Sequence, residues 1–156
     1  MHINEKVIKK NAEFFKEKNI LLPKIKELSN PLSISNDIQN KLKSIDKNSQ
    51  DPLNLFRVHW HNNRDHSKFI QCPEYIILPD ELTGVDAKII VNIGRLFPLI
   101  KAHKVLAAYA CIVPRIVTGN FDYSKNIAIW PSTGNYCRGG VAISKILGCR
   151  SIAVLP

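Results

Sequence analysis

The chain has no run of eighteen apolar residues, so no membrane-spanning helix is expected from it. Its N-terminus, MHINEKVIKKNAEFF, carries charge throughout and has no apolar signal-peptide core, so a cytoplasmic location is expected. Only four cysteines occur (Cys72, Cys111, Cys137, Cys149), and no two are spaced as CxxC. A disulfide frame and the common zinc fingers are therefore not indicated, and the cysteines read as free thiols. Seven glycines leave little material for a glycine-rich loop. Basic residues exceed acidic ones, giving a net charge of +9, but no basic run alternates with aromatics. A nucleic-acid surface is therefore not expected, whereas an anionic small ligand suits the charge.

What is present is a chain of 156 residues, long enough for one core, with an ordinary 45% hydrophobic content. Residues 1–50 differ in texture from the rest: they contain ten Lys but no Gly, Arg or Trp. Val7, Ile8, Phe14 and Phe15 suit one side of a helix through Lys18. A second helical stretch is expected between Pro23 and Pro31. Ser35 suits the cap of a third, with Ile38, Leu42 and Ile45 at helical spacing. Residues 1–50 thus read as a helical extension with narrow apolar stripes that must pack on something else. Residues 51–156 read as an α/β domain. Asp51-Pro52 is a helix-start signal. Strands are expected at residues 74–78 and 87–93, and a helix over residues 102–111 bounded by Pro114.

The densest signal lies in residues 131–148, PSTGNYCRGGVAISKILG. Residues 127–130 have strand character, Val141, Ile143, Ile146 and Leu147 give the following helix an apolar face, and Gly148 is placed to end it. Residues 151–155 form another strand. The order strand, turn, helix, strand is the unit of a parallel α/β sheet, whose ligands gather at the carboxyl ends of strands. Ser132, Thr133, Gly134 and Asn135 fall there, where the first helical N–H groups lack partners and the dipole is positive. Hydroxyls of Ser132 and Thr133 add donors, and Gly134 admits close approach to the backbone. The turn is a candidate cradle for a carboxylate or phosphate.

Lys104 is the second candidate. It stands where the helix after the strand at residues 87–93 begins. The positive end of that helix and the apolar neighbours favour the neutral amine, the form that attacks carbonyls. Lys101 is a competitor three residues earlier. Lys104 and Asn135 are one strand–helix interval apart, so two adjacent parallel strands would place amine and anion turn on one crevice.

With these residues in place, the chain resembles the pyridoxal-phosphate enzymes of fold type II, the cysteine synthase and tryptophan synthase β-subunit class. The runs AHKVLAAYACIVPRIVTG and AIWPSTGNYCRGGVAISKILGCRSIAVLP carry the resemblance, which covers residues 53–156. It implies that Lys104 is the Schiff-base lysine and proton-transfer base. It implies that Ser132, Thr133, Gly134 and Asn135 hold the substrate α-carboxylate, with Asn135 also contacting the 3′-oxygen of the cofactor. The implied reaction is β-elimination or β-replacement on a small amino acid. Tyr136 stands where many relatives carry a smaller hydroxyl residue, and FPLIKAHK replaces the usual NPxxSxK approach to the lysine.

The resemblance also implies elements that the chain lacks: the glycine-rich loop for the cofactor phosphate and the residue that contacts the pyridine nitrogen. It therefore reads as an N-terminal fragment or a partial reading frame, inactive and poorly soluble alone, with a homodimer or a missing C-terminal portion as the expected partner. Two rival readings use other residues. His59, His61, His66 and Cys72 are a candidate zinc set by residue type, though the spacing matches no common site. Alternatively, residues 1–50 are an interaction module on a non-enzymatic remnant.

Overall fold

The computed structural model describes residues 3–155. The described chain is mixed α/β. Among the described residues there are seven α-helices: α1 (Glu5–Glu17), α2 (Ile25–Ser29), α3 (Asn36–Leu42), α4 (Asp80–Thr83), α5 (Pro98–Lys101), α6 (Lys104–Val117) and α7 (Asn135–Ile146). Four strands accompany them: β1 (Tyr75–Leu78), β2 (Ile89–Asn92), β3 (Ala128–Pro131) and β4 (Ser151–Val154).

Local chemistry accounts for most helix boundaries. The Ser35 hydroxyl accepts the N–H of Ile38 at 3.4 Å and starts α3. Asp51 accepts the N–H of Leu53 at 2.8 Å, with Pro52 at the first position, but the turn that follows (Pro52–Arg57) is 3-10, not α. Gly148, at φ +66°, closes the chain after α7 in the left-handed region that glycine enters without strain. α6 runs through Pro114, where the sequence places a boundary. A proline inside a helix removes one backbone hydrogen bond and costs about 3 kcal/mol. α6 tolerates it because one face on both sides of the proline is buried: Val105, Ala108, Tyr109, Ile112, Val113 and Ile116.

That face builds the main core together with Trp130, Cys137, Ile143 and Leu147. The N-terminal segment enters the same core through Phe15, Ile20 and Leu28. Asn11, which is buried, donates to the carbonyls of Ile116 (3.0 Å) and Phe121 (2.8 Å), tying α1 to the end of α6. The Tyr109 hydroxyl donates to the Pro23 carbonyl at 2.7 Å. The helical extension thus packs on the α/β part by both apolar and polar contacts. A smaller cluster of Ile34, Leu42, Phe56 and Phe69 lies beside it. There the buried Arg57 guanidinium donates to the carbonyls of Leu42 (2.7 Å) and Ile45 (3.0 Å) and to the Asn54 side chain (2.9 Å).

The sheets are smaller than the sequence pattern suggests. β3 and β4 pair in parallel around α7, with Ile129 opposite Ile152. This is the expected strand–turn–helix–strand unit. β2, expected beside β3, instead pairs antiparallel with β1 in a separate ribbon, with Tyr75 opposite Asn92. The parallel neighbour that would align the start of α6 with the start of α7 is therefore not β2. Among the described residues, no helix is long and apolar enough to cross a membrane.

Candidate functional site

β3 delivers the chain into the turn at residues 132–134. The Ser132 N–H extends the ladder by donating to the Val154 carbonyl at 3.2 Å. The Ser132 hydroxyl folds back and accepts the Gly134 N–H at 3.2 Å, so it shapes the turn. Gly134, the N-cap of α7, supplies no side-chain cap. Its φ of −120° needs no glycine, and a Cβ there would approach only the Ser132 hydroxyl, at 4.0 Å. The backbone N–H groups of Thr133, Asn135, Tyr136 and Cys137 find no partner among the described residues. Asn135 accepts from the Arg138 guanidinium at 2.9 Å. The Tyr136 hydroxyl turns away from the turn and donates to the Cys111 sulfur on α6 at 3.3 Å; that bond and burial raise its pKa. What remains for a ligand is the Thr133 hydroxyl and a set of free amides at the positive end of a twelve-residue helix.

Lys104 opens α6 and is half-buried. Its ammonium makes no hydrogen bond or ion pair among the described residues. Lys101 is exposed, has left-handed backbone (φ +55°) and is separated from α6 by the extended Ala102. Lys104 is thus the one of the two that starts the long helix. The approach is strained: Leu99 adopts φ +68°, ψ −72°, a γ-turn geometry that costs a side-chain-bearing residue about 1–3 kcal/mol. The N–H of Leu99 is held by the Lys47 carbonyl at 3.0 Å.

The backbone at the start of α6 meets the second turn of α7 by helix packing, not by strand pairing. Gly139 of α7 sits against the start of α6, and a Cβ at this position would lie 2.9 Å from both the carbonyl carbon and oxygen of Lys104. Gly139 is four residues into α7 from Asn135, about 6 Å along the axis. The next residue, Gly140, lies flat under the Trp130 indole, whose N–H donates to the buried Ser144 hydroxyl at 3.0 Å. The two mid-helix glycines are thus packing contacts, filled by backbone and by an indole, and they form no phosphate-binding loop. In the sequence, the signal for this pair is two adjacent glycines inside an apolar helical pattern.

On the other side of the turn lies an open groove of about 630 Å³, bordered by Thr133 and Gly134. Leu99, Ile100, Val141 and Ala142 make its apolar floor, and Arg138 and Lys145 stand along it. Lys104 does not line this groove.

The histidines do not converge. No group of three metal-ligating side chains forms among the described residues, although the His59 and His61 ring centroids lie 6.0 Å apart. His59 is buried and its Nδ1 accepts the His61 N–H at 3.1 Å, while His61 Nδ1 lies 3.0 Å from the Ile70 carbonyl. Cys72 is exposed, and its thiol lies 3.7 Å from the neighbouring Pro73 carbonyl. The motif instead braces the approach to Lys104: Trp60 stacks on His103 (centroids 5.5 Å apart) and meets Phe97 edge-on at 4.9 Å.

No protein-family model, curated protein or solved structure matches this chain.

Proposed function

We propose that this chain carries the lysine and the substrate-carboxylate clamp of a pyridoxal-phosphate-dependent enzyme. In this reading it acts on amino acids by β-elimination or β-replacement, as in the cysteine synthase class. One observation carries the reading. A half-buried lysine with an uncommitted ammonium starts α6, and α6 is pinned by Gly139 to the first turns of an uncapped α7. Amine and carboxylate cradle are the two protein groups that an amino-acid-processing lysine enzyme must bring to one place.

The donor set fits part of the cofactor's needs. Lys104 fits its aldehyde, and the turn fits the carboxylate of an amino acid beside it. The phosphate finds no cradle among the described residues, since Gly139 and Gly140 are filled. When bound, the cofactor would supply an electron sink that acidifies the substrate α-hydrogen. The free amides of Asn135, Tyr136 and Cys137 and the Thr133 hydroxyl bind the carboxylate and fix the substrate's orientation. Lys104 would accept and return the α-proton, and Asn135 would hold the cofactor's 3′-oxygen.

The test is chemical labelling. The chain is incubated with pyridoxal phosphate, reduced with borohydride and mapped by mass spectrometry. A single pyridoxyl label on Lys104, lost in Lys104→Arg, is the expected result. Label scattered over surface lysines, or centred on Lys101, overturns the assignment.

A further inference from the structure

From the groove beside the turn we infer that the ligand held there is a carboxylate with a bulky apolar body, not a small hydroxy-amino acid. The inference rests on the reading of residues 132–135 as a carboxylate cradle and adds what lies next to it. The groove measures about 630 Å³, inside the range of about 300–1,000 Å³ typical of small-molecule sites and far more than a serine-sized molecule fills. Its floor is apolar: Leu99 and Ile100 come from the strained approach to α6, and Val141 and Ala142 from the middle of α7.

Charge points the same way. Arg138 and Lys145 both line the groove, and among the described residues no acidic side chain does. They lie seven residues apart on α7, on the same side and about 10 Å apart along the axis. An apolar floor with cations along it and free amides at one end complements an amphipathic anion. A neutral apolar ligand would leave the cations unused, and a small polar one would leave the floor in water. Arg138 is already held by Asn135 at 2.9 Å, so its charge is fixed near the cradle end. Leu99 supplies part of the floor from a backbone conformation that a leucine adopts only under constraint.

The experiment uses ligands with a blocked amine, which cannot condense with a carbonyl cofactor. Binding of N-acetyl-phenylalanine, N-acetyl-alanine and N-acetyl-phenylalanine amide is measured by titration calorimetry on the cofactor-free chain. N-acetyl-phenylalanine is expected to bind at least tenfold tighter than either of the others. Val141→Asp, at the exposed edge of the floor, and Arg138→Glu are each expected to weaken it at least fivefold, with unchanged circular dichroism. Equal binding of the three ligands, binding of none, or full binding by Val141→Asp overturns the inference. None of these outcomes depends on Lys104, so failure of the labelling experiment and failure of this one are separate results.

Discussion

The contact that makes the candidate site is between a glycine and a backbone. Gly139 faces the carbonyl of Lys104, and any side chain there must push the start of α6 away. Gly140 faces the Trp130 ring, which is itself buried and tied to Ser144. In an exposed helix, Gly→Ala would stabilise by up to about 1 kcal/mol. At these two positions overpacking, typically ~1–3 kcal/mol, opposes and outweighs that gain. Gly139→Ala is therefore expected to destabilise the chain by about 1–2 kcal/mol, and Gly140→Ala by at least as much. For a chain of this size each kcal/mol lowers Tm by roughly 2–4 °C, readable by thermal denaturation. An unchanged or raised Tm for both variants would refute the close packing of α6 on α7.

At the scale of the element, the segment HWHNNRDH shows how a motif that looks like a metal set serves packing instead. His59 and His66 are buried, and His59 Nε2 and both nitrogens of His66 lack hydrogen-bond partners among the described residues. Burial, then the neighbouring His61, depresses the His59 pKa from 6.5 to about 3; burial, then Lys47 and Arg57, depresses that of His66 to about 4. Both rings are therefore neutral in the folded state at pH 7. Above pH 6.5 neither state binds the protons and the stability is whole. As pH falls below 6.5 the unfolded chain takes them up first, so stability declines until the folded values near 4 and 3 are reached. At 1.36 kcal/mol per unit, His59 accounts for about 2–3 kcal/mol lost by pH 4.5, and His66 for less. Urea unfolding between pH 7.5 and 4.5 reads this slope. His66→Asn removes one titrating ring and suits the left-handed backbone at φ +60°, so its acid limb is expected to be shallower; an identical limb would refute the role of His66. Features set by local chemistry are legible in the sequence: the Ser35 cap, the helix start at Asp51-Pro52 (though the helix is 3-10), the stop at Gly148 and the unit from β3 to β4. Features that distant residues decide are not. Pro114 reads as a boundary, yet burial of Ile112, Val113 and Ile116 carries α6 past it. The partner of β2 is set by the whole chain, so an expected parallel neighbour proves to be an antiparallel hairpin. The turn and Lys104 are legible as motifs, but the packing of Gly139 on the Lys104 backbone is not, and the groove draws on four separated segments of chain.

For the molecule as a whole, the layers are unevenly covered. α7 packs on one face of the β3–β4 pair, where Ala128 and Trp130 are buried. Because Ile129 is opposite Ile152 and Pro131 opposite Val154, these residues share the other face. Ile129 is 61% exposed, Ile152 48% and Val154 46%. Ile76, Ile77, Ile90 and Val91 are likewise exposed on the β1–β2 hairpin. Parallel strands are normally covered on both faces, and open apolar strands are templates for association. Concentration-dependent association through the β3–β4 face is the expected consequence. Ile129→Lys places a charge at the centre of that face without touching the core. Its effect on unfolding free energy should stay within about 0.5 kcal/mol, the range of ordinary surface substitutions, while binding of a hydrophobic dye and light scattering on concentration should both fall. If scattering persists at the level of the parent chain while dye binding falls, the hairpin carries the association instead, and Ile77→Lys should then abolish it.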